Sequence, residues 1–186
     1  MTDQGYAVFE TAIGTCAIAW GSGGILAVQL PEATAAESRA RLRRRFPKAQ
    51  EAPAPAEIQG AIDGVIALLR GEACDFTGLQ LDMDGAPAFQ RRVWEAARDI
   101  PPGETRSYGE IAARLGDAAL ARDVGQAMGR NPFPIIVPCH RVLAAGGKIG
   151  GFSAHGGITT KRRLLAIESA LPRREPDLFS RETLTR

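Results

Sequence analysis

The chain has 186 residues, a formal net charge of +2 and an apolar content typical of globular proteins, which suits one large domain or two small ones. No run is long and apolar enough to cross a membrane, and the N-terminus lacks the basic region and apolar core of a signal peptide. Three irregularly spaced cysteines and two histidines form neither a disulfide framework nor a metal-binding motif. We therefore expect a reduced, cytoplasmic protein without a metal site.

The charge is unevenly distributed along the chain. Residues 1–87 contain 7 Lys/Arg and 11 Asp/Glu, a balance of −4, whereas residues 88–186 contain 16 and 10, a balance of +6. A basic half of this kind is typical of a protein that meets a polyanion such as nucleic acid. A solvated surface without a partner has the same composition, so charge alone leaves both interpretations open.

The first 82 residues predict an α/β domain. Alternating apolar residues separated by Gly-containing turns predict a β-meander, and apolar residues at helical spacing predict two helices after it. The arginine run from Arg39 to Arg45 is interpreted as a solvated face of the first helix. The predicted elements are strands over 5–11, 15–20 and 25–30, helices over about 34–46 and 56–70, and a short strand over 76–81.

The second half predicts a mainly helical domain over 88–170, joined by a linker at 83–87 and followed by a polar tail over 171–186. A first amphipathic helix contains Trp94 and stops before a Pro-Pro-Gly turn. A helix pair and a final helix complete the domain. Together the two halves predict the α/β class with two domains.

Two short helices in the second half form a helix-turn-helix pattern. Ser107 is a good N-cap, and Glu110 three residues later completes a capping box. The first helix should end near Gly116, and a second should run from about Ala118 to Gly129. Helix pairs of this length are common, so the pattern alone does not establish DNA binding.

The chemically distinctive stretch runs from Ile135 to Val142. Its apolar start predicts a buried strand that ends at Pro138, and Cys139, His140 and Arg141 follow directly. Cationic neighbours can lower the pKa of a thiol, and the thiolate is the reactive form. The alternative is a structural cysteine beside a core histidine, because free cysteine is among the most buried residue types.

The motif Pro-Cys-His-Arg-Val at 138–142 resembles the active-site signature of the O6-alkylguanine-DNA alkyltransferases. Asn131-Pro132 precedes it and a Gly-rich segment follows, and the resemblance covers about residues 88–169. It implies a ribonuclease H-like N-terminal domain and a C-terminal domain with a helix-turn-helix. It also implies a monomer that acts on double-stranded DNA containing O6-alkylguanine, without a cofactor.

The reaction that the resemblance implies is a single, irreversible transfer. The damaged base would be flipped out through the minor groove, because a protein cannot reach the alkyl carbon inside the duplex. The sulfur of Cys139 would then displace the guanine and keep the alkyl group as a thioether. The resemblance leaves open whether methyl is preferred over larger groups and whether O4-alkylthymine is accepted.

The resemblance also implies roles for individual residues. The catalytic set would deprotonate the thiol and stabilise the leaving base, the second set would contact DNA, and the third would line the base pocket. The catalytic residues are Cys139, His140, Glu168, Asn131 and Tyr108; the DNA-binding residues are Arg122, Ser107, Tyr108, Ala121, Gly125 and Arg141; the pocket residues are Met128, Val142, Ile149, Gly150, Phe152 and Ser153.

Some residues depart from the family pattern or belong to no motif. Asp123 would face phosphates that repel it, and Phe152 replaces a tyrosine found in many members. His155 belongs to a lengthened loop that could crowd the pocket wall. Basic residues at 161–163, in the first turn of the last helix, oppose the helix dipole, which suggests phosphate contacts, with a role in solubility as the alternative.

Three other functions fit parts of the pattern. A lesion sensor would bind the flipped base but lack the nucleophile, and the presence of Cys139 argues against it. A helix-turn-helix regulator would bind a specific sequence without covalent change. A Cys-His thiol hydrolase would turn over a small substrate and need no DNA-binding helices.

Overall fold

The structure is a computed structural model that describes residues 4–170, so the predicted tail over 171–186 lies outside the described residues. The fold is mixed α/β, with one four-stranded sheet, one two-stranded sheet and six α-helices among the described residues. In chain order the elements are β1 (Gly5–Thr11), β2 (Gly14–Gly21), β3 (Gly24–Gln29), α1 (Ala35–Arg45), β4 (Gln50–Glu51), α2 (Ala56–Leu69), α3 (Ala88–Arg98), β5 (Arg106–Ser107), α4 (Tyr108–Arg114), α5 (Ala121–Gly129), β6 (Val142–Leu143) and α6 (Ile158–Ile167).

The N-terminal sheet confirms the predicted meander. Strands β1, β2 and β3 pair antiparallel, and the short β4 adds to β1 in parallel, giving the order β3-β2-β1-β4. Alternate residues of β2 point to opposite faces, as strand geometry requires. Ala17 and Ala19 pack with Leu42 of α1, whereas Ile18 and Trp20 enter the larger core with α2. Both faces of the sheet are therefore covered, which explains why the centre of β2 is continuously buried.

The short strand predicted over 76–81 is wrong. Only Leu81 forms a bridge, to Ile25, and the rest of the segment lacks a ladder. Its main-chain carbonyls are bound instead by the guanidinium of Arg98, which donates to Phe76 O at 2.6 Å and Thr77 O at 3.0 Å. The segment is thus held in place by a side chain of α3.

The helical half places α4 and α5 on either side of a single 3-10 turn. The capping box predicted at the start of α4 is confirmed, since Ser107 Oγ accepts from Glu110 N at 3.1 Å and Ser107 N donates to Glu110 Oε2 at 2.6 Å. The second helix begins later than predicted, because residues 118–120 form the 3-10 turn, which Asp117 caps. Trp94 of α3 donates to the Ala127 carbonyl of α5 at 2.9 Å and ties the two helices together.

The strand predicted to end at Pro138 is also wrong. The segment folds into a buried turn, in which Val137 N donates to Phe133 O at 2.8 Å and Ile135 adopts a positive φ of 76°. The segment contains prolines at 132, 134 and 138, which have no N–H to donate to the hydrogen bonds of a sheet. Its apolar character reflects burial and not strand formation.

The two halves of the chain share one continuous apolar core. The cluster of buried residues extends from Ile18 in β2 through Val65 in α2 to Val93 in α3 and Val137 beside the motif. The main chain also crosses between the halves, since Val28 N donates to Pro132 O at 2.9 Å. The N-terminal sheet therefore supports the segment that carries the cysteine.

Candidate active site

Cys139 opens a 3-10 turn over Cys139–Arg141 that leads into β6. Strand β6 pairs in parallel with β5, which matches Arg106 with Val142 and Ser107 with Leu143. Because α4 begins directly after β5, this pairing brings Tyr108 beside the cysteine turn. Two segments that are distant in the chain thus meet at one site.

A pocket of about 400 Å³ opens beside Cys139, which is 7% exposed. This volume lies within the range of small-molecule sites. A mostly apolar wall and a glycine-containing segment border it. The lining residues are Tyr108, Gly125, Met128, Gly129, Cys139, Gly151, Phe152 and Ser153.

The structure brings some of the predicted pocket residues into this wall and leaves others outside it. Met128, Phe152 and Ser153 line the pocket as predicted. Val142 does not, because its side chain is fully buried behind the turn. Ile149 and Gly150 are also absent from the lining. Gly150 packs beside Tyr108 instead, and a Cβ atom added to this glycine would lie 3.6 Å from the tyrosine ring.

A buried ion-pair network lies behind the cysteine. Glu168 Oε1 lies 3.0 Å from His140 Nε2, and Arg141 donates to both carboxylate oxygens of Glu168 at 2.7 and 2.8 Å. The Glu168 side chain is 2% exposed, so the carboxylate is buried with its partners. Burial opposes its charge, but the hydrogen bonds from Arg141 and His140 hold the pKa of Glu168 at about 2.

The prediction that Arg141 contacts DNA is contradicted. Its residue is 4% exposed, and besides Glu168 its guanidinium binds the Ile100 carbonyl at 2.5 Å. The guanidinium is engaged in the interior and is not presented at a surface where a phosphate could reach it. Arg141 is instead the cation that keeps the carboxylate of Glu168 ionised in the interior.

The expected effect of the neighbouring cations on the thiol is also wrong. Burial raises the pKa of Cys139, and this rise is opposed by the nearby Asn131 side chain, by the charge of Lys161 and by backbone N–H groups at Cys139 and His140. His140 contributes no positive charge, because burial lowers its pKa despite the pull of Glu168. The cation that acts on the sulfur therefore comes from a distant part of the chain and not from the residues next to Cys139.

Lys161 is the functional group that the sequence did not identify. It was expected at the surface with phosphate, yet it is fully buried and its Nζ donates to Val142 O at 2.6 Å. The ammonium lies 5.8 Å from the centre of the Tyr108 ring, and burial lowers its pKa to about 8. A usable signal was its helical spacing, since positions 161, 164, 165 and 168 share the inward face of α6.

Asn131 holds the turn that precedes Cys139. Its side-chain amide donates to Val137 O at 2.9 Å and its carbonyl oxygen accepts from Phe133 N at 2.9 Å. These bonds fix both ends of the buried turn. The same side chain also lowers the pKa of the cysteine thiol.

Apart from Arg141, the residues predicted to contact DNA lie on α4, α5 and the strand before them. Arg122 and Asp123 are exposed in the first turn of α5, and Ala121 is partly exposed beside them. Ser107 is partly exposed, with its hydroxyl engaged in the capping box. Gly125 lines the pocket near Tyr108.

Residues 4–170 contain no cluster of metal ligands, since no group of three or more His, Cys, Asp or Glu side chains in this range is arranged to hold a metal ion. None of the helices described is long and apolar enough to cross a membrane.

Comparison with known proteins places these features in a family. A model of the 6-O-methylguanine DNA methyltransferase DNA-binding domain matches residues 88–170. The methylated-DNA–protein-cysteine methyltransferase of Mycobacterium tuberculosis is 48% identical over 127 residues, which cover 68% of this chain and 74% of the relative.

Solved structures agree with the sequence match. The O6-methylguanine methyltransferase of M. tuberculosis superimposes with a TM-score of 0.71 and 38% identity, covering 92% of this chain and 96% of that one. The M. tuberculosis protein OGT in complex with DNA gives a TM-score of 0.70 and 40% identity, covering 90% and 95%. The cysteine motif, its pocket, the extent of the identity and the shared fold lead to one conclusion: the chain belongs to the methylated-DNA–protein-cysteine methyltransferase family.

Proposed function

We propose that this protein repairs DNA by moving an alkyl group, methyl in the simplest case, from O6 of guanine to Cys139. The observation that carries the proposal is a cysteine at the wall of a base-sized pocket with a histidine–glutamate pair behind it and a buried ammonium near it. The sulfur forms the new bond to the alkyl carbon while the carbon–O6 bond breaks. The electron pair of that bond leaves with the guanine.

His140 is suited to take the proton of the thiol. Its lowered pKa keeps the ring neutral near pH 7, and the ionised Glu168 favours the tautomer with the proton on Nε2. Nδ1 is then an acceptor, and it has no hydrogen bond to any protein group among the described residues. A water between Nδ1 and the sulfur would pass the proton, so that the histidine acts as a positioned general base.

Lys161 and Asn131 stabilise the thiolate once it forms. The charge of Lys161 and the polar side chain of Asn131 both lower the pKa of Cys139, against the larger effect of burial. A thiol held in this balance stays protonated in the resting protein and ionises as His140 takes its proton. This arrangement limits side reactions of a nucleophile that is used only once.

Tyr108 is suited to stabilise the departing guanine. Burial and the nearby Cys139 raise the pKa of its hydroxyl, so the group remains a neutral donor near pH 7. It lines the same pocket as the sulfur and would donate to the guanine as negative charge develops on the base. Tyr108 would give its proton to the guanine and regain one through water from His140, which took it from the thiol, and the methyl group stays on sulfur as a thioether.

Helices α4 and α5 would bind the duplex as a helix-turn-helix, with α5 in the minor groove. Small residues such as Ala121 and Gly125 suit a narrow groove, and the exposed Arg122 would enter the stack where the damaged nucleotide leaves. The flipped base would occupy the pocket at Cys139. Asp123 would weaken the docking slightly through repulsion from phosphates. The structure of the M. tuberculosis relative with DNA supports DNA as the partner.

The same proposal includes the domain organisation. A ribonuclease H-like N-terminal domain over 1–82 would support the catalytic domain over 88–170 through the linker at 83–87. The α/β fold shared with the M. tuberculosis methyltransferase supports this division.

The proposal is tested by following the lesion in DNA. A duplex with one O6-methylguanine is mixed with increasing protein, digested to nucleosides and separated by chromatography. The lesion should disappear in proportion to the protein added, with a limit of one lesion per molecule and unmodified guanine in its place. Lesion that persists at excess protein, or that disappears catalytically, would reject the proposed reaction.

A further inference from the structure

A second cleft reaches Cys139 from the side of the N-terminal domain. Its volume is about 360 Å³, and Cys139, Phe152 and Ser153 line both this cleft and the base pocket. The opposite wall belongs to α1, which contributes Arg41, Arg44 and Arg45. The sulfur therefore lies between a mostly apolar pocket and an arginine-lined cleft, which we call the arginine cleft.

The arginines of α1 divide between two faces of the helix. Arg39 faces away from the cleft and pairs with Glu51 through its Nε at 3.1 Å and its Nη2 at 3.2 Å. Arg41, Arg44 and Arg45 follow the spacing of three and four residues that places side chains on one side of a helix. The interpretation of the run as one solvated face is therefore incomplete.

Few negative charges balance the arginine cleft. Glu32 binds Arg41 at 3.0 Å and also lies 3.5 Å from His155 of the loop beside the pocket. Within residues 4–170, Arg44 and Arg45 make no ion pair or side-chain hydrogen bond. The Arg45 guanidinium stacks 5.3 Å from the Phe46 ring centre, and partial burial and the charge of Arg41 lower its pKa.

The helix dipole does not account for this arrangement. Cations are favoured in the last turn of a helix, which explains why arginines occur there. It does not explain why two of them without an acidic partner lie on the side that borders the nucleophile. An anion in the cleft would satisfy guanidinium groups that are otherwise close to one another.

We infer that the arginine cleft binds a backbone phosphate of the alkylated strand, next to the flipped nucleotide. This inference rests on the proposed function, since only a base in the pocket brings its own strand to Cys139. Both cavities share Phe152 and Ser153, so a nucleotide seated in one has its adjoining linkages near the other. The N-terminal domain would then take part in DNA binding, beside α5.

The test is a double-mutant cycle between protein and DNA charge. Arg44→Gln/Arg45→Gln removes two cleft charges, and Arg39→Gln/Arg43→Gln removes two charges from other positions of the same helix as a matched control. The DNA is a duplex with one O6-methylguanine, with either natural linkages or neutral methylphosphonates placed in turn at each linkage flanking the lesion. The rate of methyl transfer is measured at limiting DNA over a range of salt concentrations.

The cleft variant should slow transfer to the natural duplex by roughly tenfold at low salt and reduce the log–log salt slope by about 1 to 2. A neutral linkage at the contacted position should slow the wild type but not the cleft variant further. Additive effects at every linkage, or an equal loss in the control variant, would overturn the inference. Arg44→Gln alone repeats the test with an exposed residue if the double variant folds poorly. Absence of transfer by the wild type would instead reject the proposed function.

Discussion

The charged residues around Cys139 fall into two regions that behave differently. Behind the sulfur, Arg141, Lys161 and Glu168 are buried and each has protein partners. On the surface, Arg122 on α5 and Arg44 on α1 are exposed. From this difference in burial, we expect the first group to serve the chemistry and stability of the site and the second group to serve its affinity for DNA.

The largest effect on stability should come from breaking the buried network. Glu168→Gln leaves Arg141 charged in the interior without its carboxylate, which typically costs about 3–5 kcal/mol in the free energy of unfolding. Urea denaturation measures the change. Glu104→Gln is the matched control, because its pair with Arg106 at 2.8 Å is exposed and such pairs contribute about 0–1 kcal/mol. Equal losses in the two variants would contradict the distinction between the regions.

The same network predicts a loss of stability in acid. The pKa of Glu168 is about 2 in the folded protein and near 4.5 when unfolded, so the unfolded chain takes up this proton first as pH falls. The stabilisation is therefore complete above about pH 4.5 and is lost between there and pH 2. Unfolding curves of the wild type and of Glu168→Gln should converge over this window, and a constant difference would contradict the assignment.

Lys161 should set the reactivity of the thiol. Lys161→Met removes the buried charge near the sulfur, so the pKa of Cys139 should rise, and transfer near pH 7 should slow about tenfold for every tenfold fall in the thiolate fraction. This help should be lost above about pH 8, where the ammonium loses its proton, so the rates of the wild type and of Lys161→Met should converge there. Arg162→Met, at the exposed next position, is the control and should leave the pH profile unchanged.

Surface charges should change DNA binding without affecting the pH profile. Arg122→Ala should lower the rate of transfer from duplex DNA by roughly 10- to 100-fold, which corresponds to the few kcal/mol of unstacking that an inserted side chain offsets. Stopped-flow measurement of base flipping with a fluorescent base analogue beside the lesion would follow this step. A normal flipping rate in the variant would contradict the proposed insertion of Arg122 into the base stack.

The smallest effect should come from Asp123. Its exposed carboxylate in the first turn of α5 would repel phosphates, so Asp123→Asn should raise the affinity for duplex DNA by about two- to threefold at low salt. The gain should vanish at high salt because the interaction is screened. Fluorescence anisotropy with a labelled duplex measures both. A loss of affinity for duplex DNA in Asp123→Asn would contradict the expected repulsion between Asp123 and the phosphates.

Much of the fold could be predicted from the sequence because its signals are local. The meander, α1, α2 and the capping box at Ser107 follow from residue periodicity and spacing. The prediction of a strand before Pro138 was wrong because a buried turn and a buried strand have the same apolar composition. The partners of Arg141 and Lys161 could not be predicted, because Glu168 and Val142 lie 27 and 19 residues away in the chain. For Lys161 the helical spacing indicated the inward face of α6, but it did not identify the group that the ammonium binds.

The measurement that tests the proposed transfer most directly is the mass of the intact protein after reaction with a duplex containing one O6-methylguanine, followed by peptide mapping. The chain provides its own controls, because Cys16 is fully buried with a pKa raised to about 12, and the pKa of Cys74 is also raised. We predict a gain of one methyl group, confined to Cys139, saturating at one per molecule and absent in Cys139→Ser. An unchanged mass with tight binding to the lesion, or methylation of another residue, would contradict the proposed transfer.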